Sequence, residues 1–267
     1  MSQIDLIKYQ ALGNDYLVVD MPAQLDQIVP LLPVMCDRNR GLGSDGLLAF
    51  DPQAMSVRIF NPDSSEAQKS GNGLRIIAAH AVLEHGAGER FDLRTTDVTN
   101  PVTILARQGA EVISEIDIGA PTFRGDGPMR LQTPSGEVQA VLVSVGNPHC
   151  VVFDQPVTRQ RCLELGPFIE RHEMFPERTN VQLAKVLDRG HVRIEIWERG
   201  AGYTLASGTS ASAVAAACMR AGLVDDAVTV VMPGGELLVR KNDAGHLVQS
   251  GPARRVYRAR VDLADFR

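Results

Sequence analysis

Residues 61–73 and 198–210 are built on one plan. Ser70 opens the run Ser70-Gly71-Asn72-Gly73, and Ser207 opens Ser207-Gly208-Thr209-Ser210. Each serine stands nine positions after a polar residue that ends a strand-like run, Asn61 in the first case and Glu198 in the second. An Ala-rich helical stretch follows each serine. After each helix comes a strand-turn-strand that ends near Gly119-Ala120-Pro121 or Gly251-Pro252. A device carried twice calls for two homologous halves, and the shorter period of a repeat array is absent. The boundary falls near residue 119. The first domain takes residues 1–118 and the C-terminal strand 256–267; the second takes residues 119–255.

The 267 residues suffice for two domains of ordinary size. A net charge of -5 and a pI near 5.7 argue against nucleic acid or an anionic membrane as partner. The N-terminal stretch MSQIDLIKYQ lacks the apolar centre of a signal peptide, and no run is long enough to span a membrane. Cys36, Cys150, Cys162 and Cys218 are scattered and form no CxxC pair, which points to a reducing cytoplasm.

Most segments read as strand from their β-branched content and Gly/Asn/Asp punctuation. Four stretches read as helix. Leu25–Arg38 is broken by Pro30 and Pro33. Gln160–His172 is interrupted at Gly166-Pro167, and Leu74–His85 and Ala211–Ala221 follow the two serines.

A helix start leaves backbone N–H groups without acceptors, and the macrodipole makes that end electropositive. Glycines let a ligand approach the backbone closely. Two such starts suit a carboxylate or phosphate group. Taken singly, either serine reads first as an ordinary N-cap; the paired spacing points to a site. Other polar residues punctuate apolar runs: Asn14 after Gly13, Asn61, Asn147 and His149 in Gly146-Asn147-Pro148-His149, Asn180 after Thr179, and Glu198-Arg199. His80, His85, His172, His191 and His246 have no motif around them. No His, Cys or carboxylate group shows metal-ligand spacing, and no nicotinamide, flavin or pyridoxal site is indicated.

The segments LGNDY, FNPDSSEAQKSGNGLR, GNPH, ERTNV and WERGAGYTLASGTSASAVAA resemble the signatures of the diaminopimelate epimerase family, in order and in both halves. The resemblance runs from about residue 5 to about residue 263. It implies an α/β fold of two pseudo-symmetric domains. Each would be a barrel-like, mainly antiparallel sheet around a central helix, with the ligand in the cleft between them. It implies cofactor-independent racemisation or epimerisation of a small amino acid or related carboxylate, and a homodimer. By motif matching, the family's two catalytic cysteines fall on Ser70 and Ser207, with His149 the partner of the first and Glu198 of the second. Asn61, Asn147, Asn180 and Arg199 would hold the substrate's distal groups, and Asn14 would face it. Gly71, Asn72, Gly208 and Thr209 would supply N–H groups to its α-carboxylate.

Both expected cysteines are thus serine. A thiol titrates near 8.5, lower beside a helix N-terminus, whereas an alcohol is far less acidic. Ser64 and Ser210 also stand where the family has glycine, and Lys69 precedes Ser70; these changes point to natural divergence rather than an isolated Cys→Ser exchange. The first expectation is an isomerase of the racemase or epimerase type, either a divergent homologue or an inactive Cys-to-Ser variant. The alternatives are a double-bond isomerase or dehydratase on the same fold, and an inactive homologue that binds an amino acid.

Overall fold

The computed structural model describes residues 3–21, 24–67, 69–96, 98–153 and 156–267. The chain divides into two compact units, residues 1–116 with 251–267, and residues 117–250.

The first unit contains β1 (Gln3–Ala11), β2 (Asn14–Asp20), the short helices α1 (Leu25–Ile28) and α2 (Leu32–Met35), β3 (Leu47–Asp51), β4 (Ser56–Phe60), β5 (Glu66–Ala67), α3 (Gly71–His85), β6 (Arg90–Arg94), β7 (Thr99–Gln108) and β8 (Glu111–Asp117). The second contains β9 (Thr122–Thr133), β10 (Gly136–Ser144), β11 (Pro148–Val152), α4 (Arg159–Glu170), β12 (Asn180–Asp188), β13 (His191–Glu198), β14 (Gly202–Thr204), α5 (Gly208–Arg220), β15 (Ala227–Met232) and β16 (Gly235–Lys241). β17 (Leu247–Asp262) begins in the second unit and ends in the first.

The pairings repeat. In the first unit β1 and β2 form an antiparallel hairpin, β2 runs parallel to β3, and β3 is antiparallel to β4. β4 then pairs antiparallel with β5 and parallel with β6, and β6 and β7 form the next hairpin. In the second unit β10, β11, β12, β13, β14, β15 and β16 go through the same succession of antiparallel and parallel steps. Within the first unit the sheet curls toward closure: β17 pairs with β1, from Gln3↔Asp262 to Gln10↔Arg254, and also with β8. This is a mixed α/β fold, rich in sheet and poor in helix.

Each unit wraps strands around one helix. In α3 every residue from Gly71 to Val82 is buried, and in α5 every residue from Gly208 to Cys218. Helices enclosed this fully are largely apolar, here with Asn72, Arg75 and His80 of α3 and Thr209, Ser210 and Ser212 of α5 buried among the apolar residues, and their Ala content lets strands come close on every face. Leu74, Ile76 and Ile77 each contribute about 1.5–3 kcal/mol by leaving water. The first turn of α3 is tight: a Cβ on Gly73 would lie 3.1 Å from Ser70 Oγ and 3.2 Å from Leu48 Cδ2.

One helix departs from expectation. The sequence places an interruption at Gly166-Pro167, yet α4 runs through both residues. This turn packs against β13. A Cβ on Gly166 would sit 2.6 Å from Trp197 Cγ, so only glycine lets this turn lie against the indole. The break at Pro30 and Pro33 does occur, as a short 3₁₀ turn, Val29–Leu31, between α1 and α2.

Candidate functional site

Ser70 and Ser207 occupy matching positions, each before the buried helix of its unit. Their backbones are nearly identical, with φ -141° and ψ 114° at Ser70 and φ -147° and ψ 120° at Ser207. Both are N-caps. Ser70 Oγ accepts from the Gly73 N–H at 3.0 Å, and Ser207 Oγ from the Ser210 N–H at 3.4 Å. Ser207 is buried and its Oγ also lies 3.4 Å from Thr209 Oγ1; Ser70 is half-buried. Each helix presents its electropositive end beside the hydroxyl, with Gly71 and Asn72 in one first turn and Gly208 and Thr209 in the other.

In the first unit the Ser70 turn is wired to the start of β2. Asn72 donates to Asn14 Oδ1 at 3.1 Å, and Arg75 donates to Asn72 Oδ1 at 2.7 Å. Asn14 in turn donates to Asp45 Oδ2 at 2.7 Å. Asp45 also accepts from the Asp15 N–H and from Arg38. Burial raises the Asp45 pKa, and the nearby Asp15 charge adds to this. At Asp15 burial acts the same way, but hydrogen bonds from Arg38 and Lys8 win and the carboxyl is held low. Arg75 is fully buried, which pulls its guanidinium down to about 9. Asn61 closes a local turn instead, donating to Ser65 Oγ at 2.9 Å.

In the second unit a buried chain links the GNPH segment to the Ser207 turn. His149 Nε2 lies 2.9 Å from Asn147 Oδ1, and its Nδ1 lies 3.1 Å from Gln182 Nε2. Gln182 Nε2 also donates to Ser210 Oγ at 2.9 Å. Burial lowers the His149 pKa to about 3, with the Gln182 bond opposing and the Arg199 charge assisting. His149 is therefore neutral, with Nε2 carrying the proton and Nδ1 accepting.

Glu198 ends β13, half-buried, and Arg199 follows on the exposed turn. Two side chains hold that turn. The Asn180 amide accepts from the Arg199 N–H at 3.0 Å and donates to Pro148 O at 2.8 Å. The buried Glu170 carboxylate accepts from the Gly200 N–H at 2.9 Å and from Trp197 Nε1 at 2.8 Å. The Arg199 side chain reaches Glu177 O at 3.3 Å.

Asp45, Arg75, Glu170 and Gln182 are connectors that motif reading did not single out. Gln182 had one available signal: it is a polar residue inside the apolar run of β12. The four cysteines offer no alternative nucleophile. All are buried, and burial pushes the thiols of Cys150, Cys162 and Cys218 up to about 12.

Among the described residues no helix is long and apolar enough to cross a membrane. The sequence profile described as diaminopimelate epimerase matches residues 6–123 and 141–256. Diaminopimelate epimerase 2 of Nostoc sp. is 39% identical over 259 residues, covering 90% of this chain and 89% of the relative. Diaminopimelate epimerase of Synechococcus elongatus is 34% identical over 277 residues, covering 98% and 99%. Among solved structures, a predicted epimerase from Pseudomonas aeruginosa superposes with a TM-score of 0.74 at 17% identity, covering 97% of this chain and 99% of that one. A hydroxyproline epimerase from Agrobacterium vitis, with bound trans-4-hydroxy-L-proline, gives 0.73 at 19% identity, covering 97% and 92%. At these identities the structures show a shared fold. The sequence matches go further: the chain belongs to the diaminopimelate epimerase family, and with it to the isomerases.

Proposed function

We propose that this isomerase exchanges the α-proton of an amino acid, diaminopimelate or a close relative, by two-base transfer without a cofactor. Ser70 and Ser207 would stand where the family's thiols do. The observation that carries this reading is the matched pair of serine-capped helix starts, alike in backbone angles and each feeding a fully buried helix. In this reading the N–H groups of Gly71, Asn72, Gly208 and Thr209 take the α-carboxylate, as helix N-termini do. Asn14, Asn61, Asn147, Asn180 and Arg199 line the remainder of the substrate.

The chemistry is harder for a hydroxyl than for a thiol. A serine must hand its own proton to a partner before it can accept one from carbon. His149 stays neutral to about pH 3 with its Nδ1 lone pair engaged, so it is a weak acceptor. We therefore assign proton removal to the Ser207 and Glu198 side, and proton delivery to the Ser70 and His149 side. The carbon loses one proton to the Ser207 and Glu198 side and gains one from the Ser70 and His149 side. The first side then holds an extra proton and the second lacks one, and the starting state returns by exchange of both with water or by turnover of the opposite epimer. Homodimer assembly and a cytoplasmic location belong to the same proposal and rest on the family.

A second reading has an observation of its own. Both hydroxyls already serve as caps, and Ser207 is buried. That arrangement favours a homologue that binds an amino acid without turnover. Incubation with diaminopimelate and other amino acids in deuterated water separates the two. α-Deuterium incorporation with inversion, read by NMR and chiral analysis, supports the isomerase. Calorimetric binding with no exchange supports the binder.

A further inference from the structure

At the far end of α3 from Ser70, two imidazoles converge on one carboxylate. His80 Nε2 lies 2.9 Å and His85 Nε2 3.0 Å from Asp20 Oδ1, at the end of β2. The three donor atoms all lie within 4.8 Å of one another. The helix rises about 1.5 Å per residue, so its fifteen residues place this cluster roughly 20 Å along the axis from Ser70. It is separate from the residues described above.

The rings are held in place. The Tyr9 and Phe50 rings meet His80 edge-on, with centroids at 5.6 and 5.7 Å, and Phe50 also abuts His85 at 5.7 Å. Tyr9 OH donates to Glu84 Oε1 at 3.4 Å and lies 3.2 Å from His80 Nδ1. His80 Nδ1 thus has a hydroxyl partner on the side away from Asp20, which leaves Nε2 directed at the carboxylate. Glu84 is itself held by Arg255 at 2.6 Å and Arg258 at 2.5 Å, which fixes this wall of the cluster. A single divalent ion can be shared by both Nε2 atoms and the Asp20 carboxylate.

We propose that Asp20, His80 and His85 form a binding site for a divalent transition-metal ion of the zinc class. Two imidazoles and a carboxylate are a donor set that suits such ions, at about 2.0–2.2 Å from each donor atom. Tyr9 is the outer partner that fixes the His80 tautomer. The C-terminal end of α3 adds negative potential from its carbonyls. A groove of about 910 Å³, lined in part by Asp5, Asp20, His80, His85 and Arg260, gives the ion a way in and leaves a coordination position for water.

The test is calorimetric titration of the full chain with Zn²⁺, with Mg²⁺ as control and Co²⁺ absorption as a reporter of nitrogen ligation. The expected result is saturable Zn²⁺ binding at a single site, with none for Mg²⁺. His85→Ala and Asp20→Asn change part-exposed side chains and should keep the metal-free melting temperature. Each should weaken Zn²⁺ more than Tyr9→Phe does, for which a loss of about 10–100-fold is expected. No Zn²⁺ binding by the unaltered chain, or binding undiminished in both His85→Ala and Asp20→Asn, overturns the site. None of these readouts depends on turnover.

Discussion

The side-chain nitrogen of Gln182 lies 3.1 Å from Nδ1 of His149, so the imidazole accepts at Nδ1 and carries its proton on Nε2. The same amide group reaches Ser210, the third residue of α5. Gln182 thus sets the tautomer of the GNPH histidine and ties it to the Ser207 helix start. Ser210 takes part through its hydroxyl, which a glycine at that position would lack.

His149 should remain neutral across the working range. Its folded pKa is depressed to about 3 from 6.5. Below about pH 6.5 the unfolded chain takes up a proton that the folded chain refuses, so folding stability falls as pH drops from there toward 3. The loss is on the order of 4–5 kcal/mol over that window. Urea unfolding at several pH values should show this slope, and His149→Gln should flatten it. Nitrogen-15 NMR should find Nε2 protonated and Nδ1 bare at pH 7.

Glu170 should matter out of proportion to its distance from either serine in sequence. Its carboxylate accepts from Trp197 Nε1 and from the Gly200 N–H, on either side of Glu198 and Arg199. Glu170→Ala leaves both donors without their acceptor and should cost about 2–4 kcal/mol. Trp197 is the chain's single tryptophan, so its emission should shift to the red in this variant without interference.

Gly166→Ala should destabilise by overpacking. The new methyl would lie 2.6 Å from Trp197 Cγ and 2.7 Å from its Cβ, atoms that cannot swing away. A cost of about 1–3 kcal/mol is expected, as a lower urea midpoint with changed tryptophan emission. An unchanged midpoint would show that α4 does not press on the indole.

Asp45→Ala should loosen Asn14. Asp45 takes the Asn14 amide at 2.7 Å, the Asp15 N–H at 3.0 Å and Arg38 at 2.6 Å. The loss should be about 1–3 kcal/mol of stability. Ligand affinity should fall while the α3 helix start stays intact, read by calorimetry with diaminopimelate. Unaltered affinity would remove Asn14 from the substrate.

Much of the fold was legible because local chemistry announces it. A serine before Gly-Asn-Gly or Gly-Thr-Ser caps a helix, and Ala-rich sequence after it supplies a helix that strands can surround. Pro30 and Pro33 break a helix as their missing N–H groups require. Pro167 does not, and the contact between Gly166 and Trp197 that packs this turn against β13 crosses more than thirty positions and leaves no local trace. The same limit applies to the connectors. Gln182 meets His149 across 33 positions, Glu170 meets Gly200 across 30 and Asp45 meets Asn14 across 31. The convergence of His80 and His85 on Asp20 across 60 and 65 positions was hidden for the same reason. Ser64 shows the reverse. Its left-handed φ of 70° explains why glycine suits that position, and its hydroxyl bond to Val29 O at 2.7 Å offsets the strain.

If Ser70 and Ser207 at the capped helix starts are the proton-transfer positions, their hydroxyls limit the rate. The most direct measurement compares α-deuterium exchange of diaminopimelate in the unaltered chain with that in a Ser70→Cys, Ser207→Cys double variant. Slow exchange is expected in the first and a rise of about 10²–10⁴-fold in the second, as better-matched acids and bases replace poor ones. A folded double variant that binds the amino acid yet exchanges no faster than the unaltered chain would contradict it.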